Sequence, residues 1–124
     1  MEVPMSWSTF AQARSTAAAE AVWRCYADPA SWPAWDEGIE AVRLEGPFVS
    51  GATGTLRPTG GPTLAFRIVR CEEARLFENV TPVPHRLLPL ASIAFTHELS
   101  PLADCGCEIT HRVRIAGLFG ALFA

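Results

Sequence analysis

The chain has 124 residues, 49% hydrophobic and 19% charged, with a formal charge of −3. This is the size and balance of one folded domain that buries roughly two-thirds of its unfolded surface. All ten basic residues are Arg, which excludes Schiff-base chemistry and a phosphate-loop lysine, and their scatter along the chain argues against a nucleic-acid footprint.

No stretch approaches the ~20 apolar residues of a membrane helix, and Met1-Glu2-Val3-Pro4 has neither the basic nor the apolar region of a secretory signal. A cytoplasmic protein without a membrane span is expected. Cys25, Cys71, Cys105 and Cys107 are then expected as thiols. Cys105-Gly106-Cys107 is the one close pair, and a zinc site needs a second. These are turn-flanking thiols, and no metal or cofactor is called for.

Residues 5–13 alternate weakly and read as a first strand. Ser15 and Thr16 are available N-caps for the helix formers of Ala17-Ala18-Ala19-Glu20-Ala21-Val22-Trp23. Ala19, Val22, Trp23 and Tyr26 share one helical face. Pro29 disfavours helical geometry at Asp28 and stops that helix. A second helical turn then holds Trp32 and Trp35 on one side. Trp35 is expected to be mostly buried against a sheet, because such a ring removes about 150–250 Å² from water.

From Ile39 the period becomes two. Glu40, Val42 and Leu44 alternate with Ala41, Arg43 and Glu45 up to Gly46-Pro47. Ser50–Gly54 is a turn and Thr55–Pro58 a short strand. Leu64, Phe66 and Ile68 form an apolar row. Leu76–Thr81 follows, with Leu76/Glu78/Val80 and Phe77/Asn79/Thr81 equally plausible as its inner face. After the proline-rich segment 82–89 come strands at Leu90–Leu99 and Cys107–Ile115, joined by the turn Pro101–Gly106. The order is one strand, two helices, then about six antiparallel strands.

That order, the segment Ala27-Asp28-Pro29-Ala30-Ser31-Trp32-Pro33-Ala34-Trp35, and Gly46, Gly51 and Gly54 resemble the polyketide cyclase/dehydrase and lipid-transport group of the START-like (SRPBCC) superfamily. The resemblance covers nearly the whole chain. It implies an α+β helix-grip fold: a curved antiparallel sheet of about seven strands, two short helices after the first strand, and a long C-terminal helix. It also implies a cavity for an apolar ligand. Residues 117–124 supply only the beginning of that last helix, with Leu118, Phe119, Leu122 and Phe123 tracing an apolar face. A single ligand-binding domain over residues 1–124, lacking most of the C-terminal helix, is therefore expected. The open sheet face would be covered by a longer natural C-terminus, a bound lipid, or a second copy in a homodimer formed there or through the C-terminal segment.

His97 and His111 are the sharpest candidates for chemistry. His97 lies in the row Ala91, Ile93, Phe95, His97, Leu99, and His111 in Cys107, Ile109, His111, Val113, Ile115. Both therefore point with apolar side chains, opposite or one step diagonal across the two strands. They read either as core histidines satisfied locally or as polar anchors in an apolar pocket. Burial should lower their pKa. Asp36, Glu37 and Glu40 read as a solvated cluster, and Glu78, if inward, as an acid–base partner. The candidate ligand wall is Trp35, Phe66, Ile68, Phe95, His97, His111 and Val113. Leu87 and Leu88 are expected to cover its rim. No Gly-x-Ser-x-Gly elbow is present.

Three functions remain open at this level. The first is binding of a lipid-, isoprenoid- or polyketide-like molecule. The second is a cyclase/dehydrase-type enzyme with His97 and His111 as acid and base. The third is a protein-interaction module.

Overall fold

The computed structural model describes residues 5–82 and 92–117. The expectations for the proline-rich segment, for Leu87 and Leu88, and for the C-terminal helix lie outside the described residues. β1 (Met5–Ser15) is followed by α1 (Ala19–Tyr26), a 3-10 turn (Pro29–Ser31) and α2 (Trp32–Trp35). Then come β2 (Ile39–Glu45), β3 (Thr53–Pro58), β4 (Leu64–Glu72), β5 (Leu76–Pro82), β6 (Ser92–Pro101) and β7 (Cys107–Gly117). They form one antiparallel sheet in the order β1-β7-β6-β5-β4-β3-β2, with the first strand paired against the last from Met5–Gly117 to Ser15–Cys107. This is the expected α+β helix-grip architecture, a curved open sheet gripping two short helices. Among the described residues no helix is long and apolar enough to cross a membrane.

α1 forms where the expected face demanded it: Ala19, Trp23 and Tyr26 are buried and Val22 half-buried. Its cap differs from expectation. β1 runs on to Ser15, so the Ser15 hydroxyl accepts the Ala17 N–H at 3.0 Å and shapes the turn. The helix itself starts behind Ala18 with no side-chain cap. The stop at Asp28-Pro29 is as anticipated, with Asp28 at φ −118° and ψ 79°. The loose carbonyls at the end of α1 find side chains. The Trp32 indole donates to the Tyr26 carbonyl at 3.1 Å, and the Ser31 hydroxyl donates to the Cys25 carbonyl at 3.3 Å. Thus Trp32 fixes the angle between the helices while its ring enters the core.

The two tryptophans divide their roles against the expectation. Trp32 is 5% exposed and stacks near Phe66 and Phe77, whereas Trp35 is 45% exposed. α2 is a single turn whose last residue is Trp35, and Asp36 is already extended. The Trp35 ring therefore swings to the rim, its indole donating to the Ser31 hydroxyl at 3.1 Å.

Phe77 is the hub of the core at 1% exposure. Its ring meets Phe48 and Tyr26 at 5.1 Å, Trp32 at 5.8 Å, Trp23 at 6.2 Å and His97 at 4.1 Å. β5 thus turns Phe77, Asn79 and Thr81 inward. Glu78 faces the other side, accepting from the Thr96 hydroxyl at 2.7 Å, and so is not a partner for the histidines. β3 begins two residues earlier than expected, at Thr53, because Gly54 belongs to the sheet opposite Leu44. A Cβ there would collide with the Arg43 carbonyl and the Phe66 ring, so the bare glycine lets that ring pack close against the strand.

Candidate functional site

Between α1, α2 and the inner face of the sheet lies an open recess of about 360 Å³. Leu56, Leu64, Phe66, Phe95 and Val113 form its apolar wall on the sheet side. Asn79 and Thr81 are buried neutral polar groups on the same wall. Trp35 and Asp36 stand at the more exposed side. Tyr26 and His97 lie at the inner end under α1, and His111 stands beside them at an exposed position. A second, shallower groove between α1, β1 and β7 shares Tyr26, Trp35 and His111 with the recess. These three side chains form the partition between the two spaces.

Six of the seven wall residues expected from the sequence are brought together: Trp35, Phe66, Phe95, His97, His111 and Val113. Ile68 is not among the lining residues. It lies on the same row of β4 but is 1% exposed. The Gly51-Ala52 turn folds against it, with the Gly51 N–H donating to its carbonyl at 2.7 Å and its own N–H donating to the Ala52 carbonyl at 2.8 Å. Ile68 is core. Asp36, read as part of a solvated cluster, holds its turn by accepting the Gly38 N–H at 2.8 Å while lining the recess. Glu40 does lie at the surface, in an exposed ion pair with Arg57 at 2.9 Å.

The β6–β7 register sets His97 directly opposite His111, and their rings meet edge to face with centroids 4.6 Å apart. His97 lies parallel to Phe77 at 4.1 Å, and its Nδ1 is buried without a hydrogen-bond partner. Burial pushes the His97 pKa down to about 3, the neighbouring His111 adding to the fall and the Phe77 backbone opposing it. His111 is more open to solvent, yet burial still lowers its pKa, opposed by the Asp36 charge. The pair is therefore neutral at pH 7.

Its other partner is Tyr26, whose hydroxyl shares a 2.8 Å hydrogen bond with His111 Nε2. Burial, reinforced at high pH by negative charge on Cys107 and Cys25, pushes the phenol up to about 12, so it keeps its proton at neutral pH. Chemically this is an uncharged donor–acceptor cluster at the end of an apolar space. Among the described residues no group of three His, Cys, Asp or Glu side chains is placed to hold a metal ion.

Residues 7–124 match the family described as polyketide cyclase / dehydrase and lipid transport. The chain belongs to that family. The likeness of fold extends well past this family match. Norcoclaurine synthase from Thalictrum flavum, solved with dopamine and hydroxybenzaldehyde, superposes with a TM-score of 0.71 at 14% identity, over 92% of this chain and 71% of that one. Ara h 8.0201 gives 0.66 at 17% identity, over 90% and 78%. The di-domain ARO/CYC StfQ from the steffimycin biosynthetic pathway gives 0.71 at 13%, over 91% of this chain and 37% of that one. At these identities the likeness is one of fold. No curated protein matches the sequence.

Leu56, Leu64, Asn79 and Thr81 were not expected in the wall, and Tyr26, read only as part of an apolar helical face, is the polar site residue at the histidines that sequence reasoning missed. A buried tyrosine hydroxyl needs a partner. That requirement, set beside two histidines in apolar rows, was the available signal.

Proposed function

We propose that this chain is a cytoplasmic small-molecule binding protein whose recess holds a lipid-, isoprenoid- or polyketide-like ligand. The observation that carries this reading is the Tyr26–His111–His97 cluster in a largely apolar space. Such a space, with a few convergent polar groups, is how small-molecule sites are built, and its volume sits at the small end of the usual ~300–1,000 Å³. In this reading Trp35, Phe66, Phe95 and Val113 contact the ligand skeleton, and His97 and His111 meet its oxygen atoms. Family membership supports it, as does a fold neighbour that was solved with two small aromatic molecules.

The 2.8 Å bond between Tyr26 and His111 favours a second reading, a cyclase/dehydrase-type enzyme. A neutral imidazole could take a proton from carbon beside a ketone while the wall holds the chain folded.

Native mass spectrometry of protein purified under non-denaturing conditions tests the first reading. A co-purifying apolar mass is expected, lost in Val113→Phe, which fills the recess. Protein that carries no such mass, and takes up none from a library of apolar compounds, contradicts it. Conversion of a supplied polyketone that disappears in His111→Gln supports the enzyme.

A further inference from the structure

We infer that the recess selects uncharged molecules bearing hydroxyl or carbonyl groups, and rejects the same skeletons carrying a carboxylate or sulfonate. The inference rests on the binding reading above and narrows its ligand class.

The polar atoms facing the space carry it. Asn79 and Thr81 are buried and neutral. Tyr26 and His111 are engaged with one another through a 2.8 Å hydrogen bond, an arrangement that offers exchangeable donor and acceptor positions but no charge. Arg112 is the one Arg among the described lining residues, but it alternates with the inward His111 and Val113 along β7, and its guanidinium is turned away to Glu98 and Phe10. There Nε stands 3.2 Å from Glu98, and Cζ lies 5.2 Å above the Phe10 ring. The charge that does face the recess is negative, the Asp36 carboxyl held in place by the Gly38 N–H.

Among the described residues, an anion entering this space loses its hydration without meeting a cation, a costly transfer even for an apolar skeleton. To create a counter-ion it would have to protonate an imidazole. With the His97 pKa near 3, that step is disfavoured about ten-thousand-fold at pH 7. A proton on His111 meets the Asp36 charge first, which already favours it, and a second anion beside Asp36 adds repulsion. A neutral hydroxyl or carbonyl needs only the donors and acceptors present.

The test compares N-phenylnaphthylamine with anilinonaphthalene sulfonate, one fluorescent skeleton without and with a permanent negative charge. Both are titrated into the full chain, its Asp36→Asn variant and its Val113→Phe variant. The neutral probe should bind about tenfold or more tightly than the sulfonate. Asp36→Asn keeps the acceptor for Gly38 and should narrow that ratio by about threefold, because repulsion has been removed. Equal binding of the two probes overturns the inference and leaves the binding reading standing. So does a ratio untouched by Asp36→Asn, since that is the mark of probe apolarity alone. A fluorescence signal that survives Val113→Phe comes from outside the recess, and it overturns the binding reading together with this inference.

Discussion

Lowering the pH probes the histidine cluster without changing an atom of the sequence. His97 stacks on Phe77 and its Nδ1 is sealed from water, so the folded protein holds its pKa near 3 against an ordinary value of 6.5. Below pH 6.5 the unfolded chain gains a proton at His97 that the folded protein refuses. Stability is therefore full above the unfolded pKa and falls as the pH drops towards the folded one. One such group contributes up to about 1.4 kcal/mol per pH unit, so roughly 2 kcal/mol should be lost between pH 6.5 and 4.5. His111 adds a smaller loss of the same sign, being more exposed and helped by Asp36. Urea unfolding of the wild type and of His97→Gln at several pH values isolates the effect, because every other titrating group is common to both. The difference between the two stabilities should shrink steadily with falling pH. Parallel stability profiles, or an NMR titration placing His97 near 6.5, would refute the reasoning.

The tryptophans give a paired test of the packing: Trp32→Ala should cost about 3–5 kcal/mol in denaturant unfolding and Trp35→Ala about 1 kcal/mol, and the reverse order would mean the helical turn is misplaced. Gly54→Val should destabilise by more than about 2 kcal/mol, since its side chain would meet the Arg43 carbonyl and the Phe66 ring; a neutral effect in thermal melts would contradict the close approach of β3 and β4. At high pH a further loss is expected between about 10 and 12, where the unfolded chain releases the Tyr26 proton that the folded protein retains; it should be absent in Tyr26→Phe.

Much of the fold was legible because period-two rows, Gly and Pro punctuation and one amphipathic helix carry strong local signals. The same rows, with the turn before Cys107, placed the two histidines opposite or one step diagonal, and the register makes them directly opposite. Other features depend on contacts distant in sequence. β5 mixes polar and apolar residues on both faces, so only the neighbouring strands decide that Phe77 rather than Leu76 becomes the hub. Trp32 and Trp35 are alike in local context; their fates diverge because one reaches Phe66 and Phe77 while the other ends its helix. Ile68 shares the pattern of Phe66, but it is 1% exposed and belongs to the core rather than to the recess. The Tyr26–His111 bond spans 85 residues of sequence and carries no local trace.

The central claim is that the recess bounded by Val113, Leu64 and the Tyr26–His cluster is where a small neutral molecule binds. Carbon-detected methyl and ring NMR during titration with N-phenylnaphthylamine tests it most directly. The account predicts progressive shifts at the Leu56, Leu64 and Val113 methyls and at the His111 ring, all lining the recess. Shifts confined to Val22 and Ile109, which line the groove beyond the Tyr26 partition, with Leu64 and Val113 unmoved, would contradict it.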